Sequence, residues 1–161
     1  MEAPASEEAG KMDPAQAARQ RWMSVLAKAQ LSELESAWKE MPQKPDFDWL
    51  RAPETGMVML RARTGGTGSQ FNIGQMTVTR CALRLANGSA GLGYVQGRSK
   101  RHAELAALFD ALLQDGTQAA DLEVKVITPL QAQQISRRKE ASKKANSTKV
   151  NFFTLVRGEN D

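Results

Sequence analysis

Two β-prone runs flank the dipeptide Asn87-Gly88, and this arrangement restricts the fold of the chain more than any other feature. Residues 71–85 form a long run rich in β-branched and apolar residues, and residues 90–97 form a shorter second run. Asn-Gly is a preferred sequence for two-residue turns between antiparallel strands. The sequence therefore predicts a β-hairpin in which Leu83 faces Leu92.

This register predicts two faces of different chemistry. One face carries the side chains expected in a core: Cys81, Leu83, Leu85, Leu92 and Tyr94. The other face places Arg80 and Arg84 opposite Gly91 and Gly93. Because glycine weakens a strand unless something approaches its backbone closely, we expect this second face to meet a helix, a partner chain or an anionic ligand.

Helical signals surround the predicted sheet. Asp13-Pro14 predicts a first helix start, and Ser32 with Glu35 forms a capping-box pattern that predicts a second, so the two helices are expected to form a hairpin. Ser99 can cap a third, amphipathic helix that ends near Asp115-Gly116. This third helix is expected to cover the sheet.

The remaining segments complete an α+β fold with an N-terminal helix pair, a mainly antiparallel β-sheet, a covering helix and an extended C-terminal arm. Side chains alternate along residues 57–63, which indicates a strand, and residues 122–127 are also predicted as a strand. Residues 131–145 are predicted as a polar helix, and residues 150–156 as a final extended segment. The predicted division is a disordered leader at 1–12, a core domain at 13–130 and a partner-binding arm at 131–161.

The charge and the rare residues restrict the function. Residues 137–149 hold six basic residues and one acid, a charge of +5, so the rest of the chain sums to about −1 of the total +4. Aromatic residues do not interleave with these cations, which disfavours nucleic-acid binding. One cysteine and one histidine argue against a zinc site or an iron–sulfur cluster. Residues 1–10 lack a secretory pattern and no run suits a bilayer, so a cytoplasmic location is expected.

Residues 61–101 combine glycines with cations and form the candidate binding region. The loop at residues 65–68 lacks the Gly-Lys-Ser/Thr ending of a phosphate-binding loop, so it is either a weak anion site or a tight strand connection. Cations at the start of the third helix either bind an anion or stay solvated. The candidate substrate or phosphate ligands are Arg63, Gly65, Gly66, Thr67, Gly68, Arg80, Arg98, Lys100 and His102. No residue is assigned as catalytic.

Several separated sequence words occur in a fixed order. They are Trp22-Met-Ser-Val-Leu-Ala27, Arg63-Thr-Gly-Gly-Thr-Gly68, Val78-Thr-Arg80, Tyr94-Val-Gln-Gly-Arg98, His102-Ala-Glu104, Asp110-Ala-Leu112 and Asn151-Phe-Phe-Thr-Leu-Val-Arg-Gly158. Together they resemble the PhnG family, the G subunit of the bacterial carbon–phosphorus lyase system. The resemblance covers residues 18–161. Gln75 departs from it, because an acidic residue is common there in the family.

The resemblance implies a place in phosphonate catabolism. In that system the G subunit acts with H, I and L subunits on MgATP and an alkylphosphonate, forming α-D-ribose 1-alkylphosphonate 5-triphosphate and adenine. The resemblance also implies a stable core with the H, I and J subunits, in which the I subunit performs the nucleosidase-like step. MgATP is then a substrate of the complex, and this chain is expected to bind no cofactor itself. The alternative is a self-sufficient nucleotide- or phosphate-binding enzyme that uses the Arg/Gly-rich face.

Overall fold

A computed structural model describes residues 13–148 of the chain as an α+β fold, as predicted. Three antiparallel strands form one sheet in the order β1-β2-β3, and helices cover one face of it. The elements are α1 (Pro14–Lys28), α2 (Leu31–Glu40), β1 (Phe47–Arg63), β2 (Gln70–Leu85), β3 (Ala90–Gln96), α3 (Lys100–Gln114), α4 (Ala119–Leu122) and α5 (Thr128–Ser147). A 3-10 turn at Thr64–Gly66 joins β1 and β2, and a π-helical turn at Glu123–Ile127 joins α4 and α5.

The N-terminal helix pair forms, with one shifted boundary. The Asp13 carboxylate accepts the N–H of Ala15 at 3.3 Å, which confirms the predicted start of α1. The predicted capping box at Ser32 and Glu35 is wrong, because α2 begins at Leu31. There the carboxylate of Glu33 accepts the N–H of Gln30 at 2.9 Å, so the same reciprocal chemistry acts two residues earlier.

The hairpin around Asn87-Gly88 exists, but its predicted register is wrong by one residue. Leu83 pairs with Gly91 rather than with Leu92, and the N–H of Leu85 donates to the Ser89 carbonyl at 2.9 Å. The connection therefore has three residues and ends at Gly88, whose φ is +91°. Loops of this length with a glycine in the left-handed region are the next most common hairpin connection after two-residue turns.

The one-residue shift moves every β3 side chain to the opposite face. Gly91 and Gly93 lie buried on the inner face, whereas Leu92 and Tyr94 are exposed on the outer face. A Cβ atom at Gly93 would overlap the carbonyl oxygen of Ala103 in α3. The glycines therefore admit a helix of the same chain, one of the uses expected for them, but they do not lie opposite the β2 arginines.

Helix α3 is the predicted covering helix and forms the centre of the core. Its apolar residues from Leu105 to Leu113 are buried between the sheet and the N-terminal helices. Phe109 meets Trp38 of α2 edge to face, with ring centroids 6.0 Å apart. Burying a large apolar side chain of this kind contributes roughly 1.5–3 kcal/mol to folding.

The strand predicted at residues 122–127 is wrong, because this segment is helical. Leu122, Val126 and Leu130 are buried at a spacing of four residues, whereas Val124 is largely exposed. That burial pattern has helical periodicity, which the β-branched residues of the segment hid. Pro129 has no N–H to donate to the preceding turn, and the π-helical turn ends two residues before it, at Ile127.

The polar helix predicted at residues 131–145 is confirmed as part of α5. Its first half packs near α1, where the side chain of Gln134 donates to the Val25 carbonyl at 2.7 Å, and all residues from 138 to 148 are exposed. Since α5 begins at Thr128, it spans the predicted domain boundary after residue 130. The predicted leader at 1–12 and the extended segment at 150–156 lie outside the described residues. Within residues 13–148, no helix combines the length and apolar composition needed to cross a bilayer.

Candidate functional site

The candidate ligands from the sequence occupy three separate places in the fold. One group lies at the turn between β1 and β2: Arg63, Gly65, Gly66, Thr67 and Gly68. Arg80 lies in the middle of β2. The third group, Arg98, Lys100 and His102, lies at the start of α3.

The turn between β1 and β2 is closed by hydrogen bonds among its own residues. Gly65 and Gly66 have φ values of +60° and +83°, which favour glycine. The N–H of Gly68 donates to the Thr64 carbonyl at 2.9 Å, and the guanidinium of Arg63 donates to the Gly68 carbonyl at 3.1 Å. The backbone conformation and these hydrogen bonds explain the glycines: they form a tight connection between the two strands.

The turn and the start of α3 are far apart. The Gly97 N–H donates to the Thr77 carbonyl at 2.9 Å, which brings the chain entering α3 beside Thr77. Thr77 lies seven positions along β2 from Gln70 at the turn. At the rise of an extended strand this separation is about 23 Å. A single small ligand cannot bridge the two groups.

Arg80 belongs to a small charge cluster on the outer face of the sheet. Its Nε donates to the Glu54 carboxylate at 2.7 Å, and Arg51 donates to the same oxygen at 3.2 Å. The hydrogen bond from Arg80 lowers the pKa of Glu54. Two arginines therefore share one acid on the surface, and the cluster keeps one excess positive charge.

The three candidate residues at the start of α3 differ in their exposure to solvent. Ser99 caps the helix by accepting the N–H of His102 at 3.2 Å, as predicted. Arg98 and Lys100 on either side of the cap are exposed. The His102 ring is buried, with Nε2 lying 2.9 Å from the Leu26 carbonyl oxygen. Of the three candidate residues here, Arg98 and Lys100 are presented to solvent and His102 is not.

Asp110 is the most extensively bonded side chain in the described core, and sequence reasoning missed it. Its carboxylate accepts two hydrogen bonds from Arg19, at 3.2 and 2.8 Å, and one from Trp22 Nε1 at 2.9 Å. It is completely buried in α3, within an otherwise apolar run. A charged residue inside an apolar helix stripe was the signal that could have found it, because a buried carboxylate needs paired donors.

The same carboxylate also protects the edge of the sheet. The N–H of Leu92 in edge strand β3 donates to Asp110 at 3.0 Å. The Gln114 side-chain amide donates to the carbonyl of Ala90, two residues before Leu92 in β3, at 2.8 Å. Unpaired backbone groups on an edge strand invite pairing with another chain. Helix α3 therefore caps the first half of the β3 edge with its own side chains.

Cys81 is buried on the inner face of β2, where the sequence predicted a core thiol. Burial raises the pKa of this thiol to about 11, which keeps it protonated at neutral pH. No group of three or more potential metal-ligating side chains occurs between residues 13 and 148. Among these residues the arrangement offers neither an activated thiol nor a metal centre.

Four of the exposed large apolar side chains lie on a two-stranded β-ribbon, which we define as residues 57–77. β3 pairs with β2 only from Val78 to Arg84, so beyond Val78 the described sheet has two strands. Met57 and Met59 are 70% and 53% exposed, and Phe71 and Ile73 are also exposed. Sequence reasoning recognised the alternation in this segment but did not foresee that the ribbon would extend past the helices.

One side of the β-ribbon combines apolar and cationic side chains. In β1 this side carries, at alternate positions, Met57, Met59, Arg61 and Arg63. The residues opposite them in β2 are polar and uncharged: Thr77, Gln75, Asn72 and Gln70. An extra residue in β2, Ile73, forms a bulge opposite Leu60 and Arg61. Exposed methionines beside arginines are typical of protein-binding surfaces.

Comparison with known proteins gives one consistent result. A family model described as "Phosphonate metabolism protein PhnG" matches residues 17–158. A relative from Rhizobium meliloti (strain 1021) is 43% identical over 150 residues, which cover 91% of this chain and 94% of the relative. Its name is "Alpha-D-ribose 1-methylphosphonate 5-triphosphate synthase subunit PhnG". The resemblance seen in the sequence words is thereby confirmed, and the chain belongs to the PhnG family.

Proposed function

We propose that this chain is the G subunit of an alpha-D-ribose 1-methylphosphonate 5-triphosphate synthase and acts in phosphonate catabolism. The observation that carries the proposal is the match along nearly the whole chain to a relative named as a subunit of that synthase. The complex would use MgATP and a phosphonate in the cytoplasm. Its partners would be the H, I and J subunits, with the L subunit acting in the same reaction.

The reaction of the complex exchanges one bond at the ribose. An oxygen of the phosphonate attacks the anomeric carbon, a carbon–oxygen bond forms, and the carbon–nitrogen bond to adenine breaks. Adenine leaves with the bonding electron pair and takes up a proton. These steps require a shaped site for a nucleotide and a group that activates the phosphonate or the leaving base.

The role proposed for this chain is assembly rather than bond exchange. Its thiol is buried and protonated, and its only imidazole is buried against a helix carbonyl. The candidate ligands are distributed over three places, and Arg80 is already paired with an acid. The exposed β-ribbon and the exposed half of α5 instead provide surface for other subunits.

The alternative of a self-sufficient enzyme depended on a face that combines arginines with glycines. In the fold Arg80 and Arg84 lie on the outer face of β2, whereas Gly91 and Gly93 contact α3 on the inner face. The open cationic floor required by that alternative is therefore absent from the described sheet. No further observation favours it.

Reconstitution tests the proposed role. The I subunit is expressed with and without this chain, and adenine release from MgATP is measured after addition of the H, J and L subunits and methylphosphonate. We expect this chain to co-purify with the I subunit and adenine release to require it. Failure to co-purify, together with unchanged adenine release when the chain is left out, would overturn the proposal.

A further inference from the structure

From the geometry we infer that the free edge of β1 at residues 55–60 receives an extended segment of another subunit as an added strand. The inferred segment is apolar where it faces Met57 and Met59, and acidic where it faces Arg61 and Arg63. The inference rests on the proposed function to the extent that the partner belongs to the same complex. The mode of binding is strand addition to a sheet edge.

The backbone of β1 has unpaired groups at this edge. The Thr77 carbonyl accepts a hydrogen bond from Gly97 on the β3 side, so the backbone groups of Thr77 point away from β1. Met57 lies opposite Thr77, and Met59 lies opposite Gln75 two residues along. Alternate antiparallel pairs are not hydrogen-bonded to each other, so the N–H and C=O of both methionines point outward. Between residues 13 and 148, no strand pairs with this side of β1.

Met57 and Met59, whose backbone groups are unpaired, also have exposed side chains. The two methionines with outward backbone groups are also highly exposed, so an added strand would cover both at once. The edge upstream is unsuitable for pairing, because the β1 register shifts between Arg51 and Glu54, around Pro53. Bulges and proline block edge pairing. The receptive part of the edge is therefore confined to residues 55–60.

Charge identifies the chemistry of the occupant. Residues 55–79 contain two arginines, Arg61 and Arg63, and no acid. Both arginines are exposed and continue the methionine side of β1. A strand that follows this side with aspartate or glutamate would neutralise them at the exposed end of the β-ribbon. Complementary charge of this kind fixes register and selects the partner.

The β1 edge of a second copy does not provide that chemistry. Antiparallel self-pairing about Met59 would place Arg61 opposite Met57 and Arg63 opposite Thr55. Neither arginine would then face an acid. Pairing between two β1 edges therefore does not supply the occupant, and we assign it to another subunit of the complex.

Backbone substitution tests the inference in the complex with the H, I and J subunits. Met57→Pro removes an N–H that points outward and leaves the ladder to β2 intact, because edge strands tolerate proline where the N–H faces solvent. Met57→Val removes the same side chain but keeps the N–H. We expect Met57→Pro to weaken assembly at least 10-fold more than Met57→Val, with the same melting temperature for the two isolated chains. Equal assembly of both variants would overturn the inference.

Hydrogen exchange provides a readout that does not depend on any variant. In the free chain the amides of Met57 and Met59 should exchange rapidly, whereas those of Val58 and Leu60 should be protected by β2. In the complex we expect the two methionine amides to slow at least 10-fold. A complex in which these amides still exchange rapidly would overturn this inference alone, and failure to form any complex would overturn it together with the proposed function.

A charge reversal tests the inferred acidic segment. Arg61→Glu should weaken assembly at least 10-fold at low salt, and the difference should shrink as salt screens the charges. The matched control is Lys39→Glu, which makes the same charge change in the last turn of α2. An equal effect of the two reversals would contradict an acidic partner segment at the β-ribbon.

Discussion

Gly93 of β3 lies directly against Ala103 of α3, and a Cβ atom at this glycine would overlap the Ala103 carbonyl oxygen. Gly91 makes the same kind of approach to Ala107 one helical turn further along α3. The two glycines allow the backbone of an edge strand to touch the covering helix. This contact forms because Gly91 and Gly93 have no side chains to hold the two backbones apart.

Gly93→Ala should therefore destabilise the fold. The added methyl cannot fit without separating β3 from α3, and overpacking of this kind costs about 1–3 kcal/mol or more. Gly56→Ala in β1 is the matched control, because a Cβ atom there meets nothing within 4 Å. The measurement is urea unfolding of both variants, and equal midpoints would contradict the described contact.

Asp110→Asn should destabilise the fold by about 2–3 kcal/mol, because it removes the charge that Arg19 pairs with and leaves one amide group in place of a second acceptor. Arg19 is 34% exposed, so water can recover part of its solvation and limits the loss. Asp121→Asn, which breaks the exposed pair with Lys125, should change stability by less than about 1 kcal/mol. Thermal unfolding of both variants checks the difference, and a smaller effect at Asp110 than at Asp121 would refute the buried ion pair.

The ion pair between Glu33 and Arg137 should make a small, pH-dependent contribution to the free energy of unfolding. The hydrogen bond from Arg137, at 2.6 Å, holds the pKa of Glu33 below its ordinary value of 4.5. A carboxylate with a lowered folded pKa contributes stability above its unfolded pKa, and the contribution is lost as the pH falls through the folded value.

Arg137→Gln should accordingly destabilise the chain slightly at pH 7, and the difference from the unmodified chain should vanish at acid pH below the folded pKa of Glu33. Arg138→Gln removes the same charge from the next residue of α5 and serves as control. Denaturation of the three proteins at several pH values gives the comparison. A difference for Arg137→Gln that stayed constant with pH would exclude the ion pair as its source.

Cys81 should resist alkylation in the folded protein. At a pKa of about 11 only about one thiol in a thousand is ionised at pH 8, and the thiolate is the nucleophile. Because the chain has one cysteine, mass spectrometry reports this site without ambiguity. Labelling should become fast in denaturant, and rapid labelling of the native chain would show that the thiol is accessible.

The isolated chain should show no detectable heat on titration with MgATP. Its candidate cations lie in three places, and the turn between β1 and β2 is closed by its own hydrogen bonds. A phosphate site needs several donors directed at one point. Saturable binding in calorimetry would support the alternative of a nucleotide-binding enzyme over an assembly subunit.

Local signals predicted the parts of this fold that depend on near neighbours. Asp13 and Ser99 were identified as caps because a capping side chain bonds to residues two or three positions away. The apolar stripe of α3 was equally evident. The register at Asn87-Gly88 was not, since the same dipeptide suits a two-residue turn and a three-residue loop, and contact with α3 decides between them.

The candidate site was less accessible to sequence reasoning. The exposure of Met57 and Met59 depends on where the helix layer ends, which is a property of the whole fold. The four bonds of Asp110 join residues of α1 and β3 that lie far from it in sequence. The strand predicted at residues 122–127 failed because β-branched residues outweighed a helical spacing. Family membership, by contrast, was visible in the sequence words.

Asp110 and Gln114 cap the β3 edge, so a further strand is expected to add to the sheet at its β1 edge. Strand addition at β1 would extend the sheet on one side, while the side chains of α3 occupy the first half of the opposite edge. Open-ended edge-to-edge pairing of one sheet with the next requires two receptive edges. Because the β3 edge is blocked over its first half, it offers few free backbone groups to a further strand, so the fold would favour a closed assembly of defined size over an open-ended fibre.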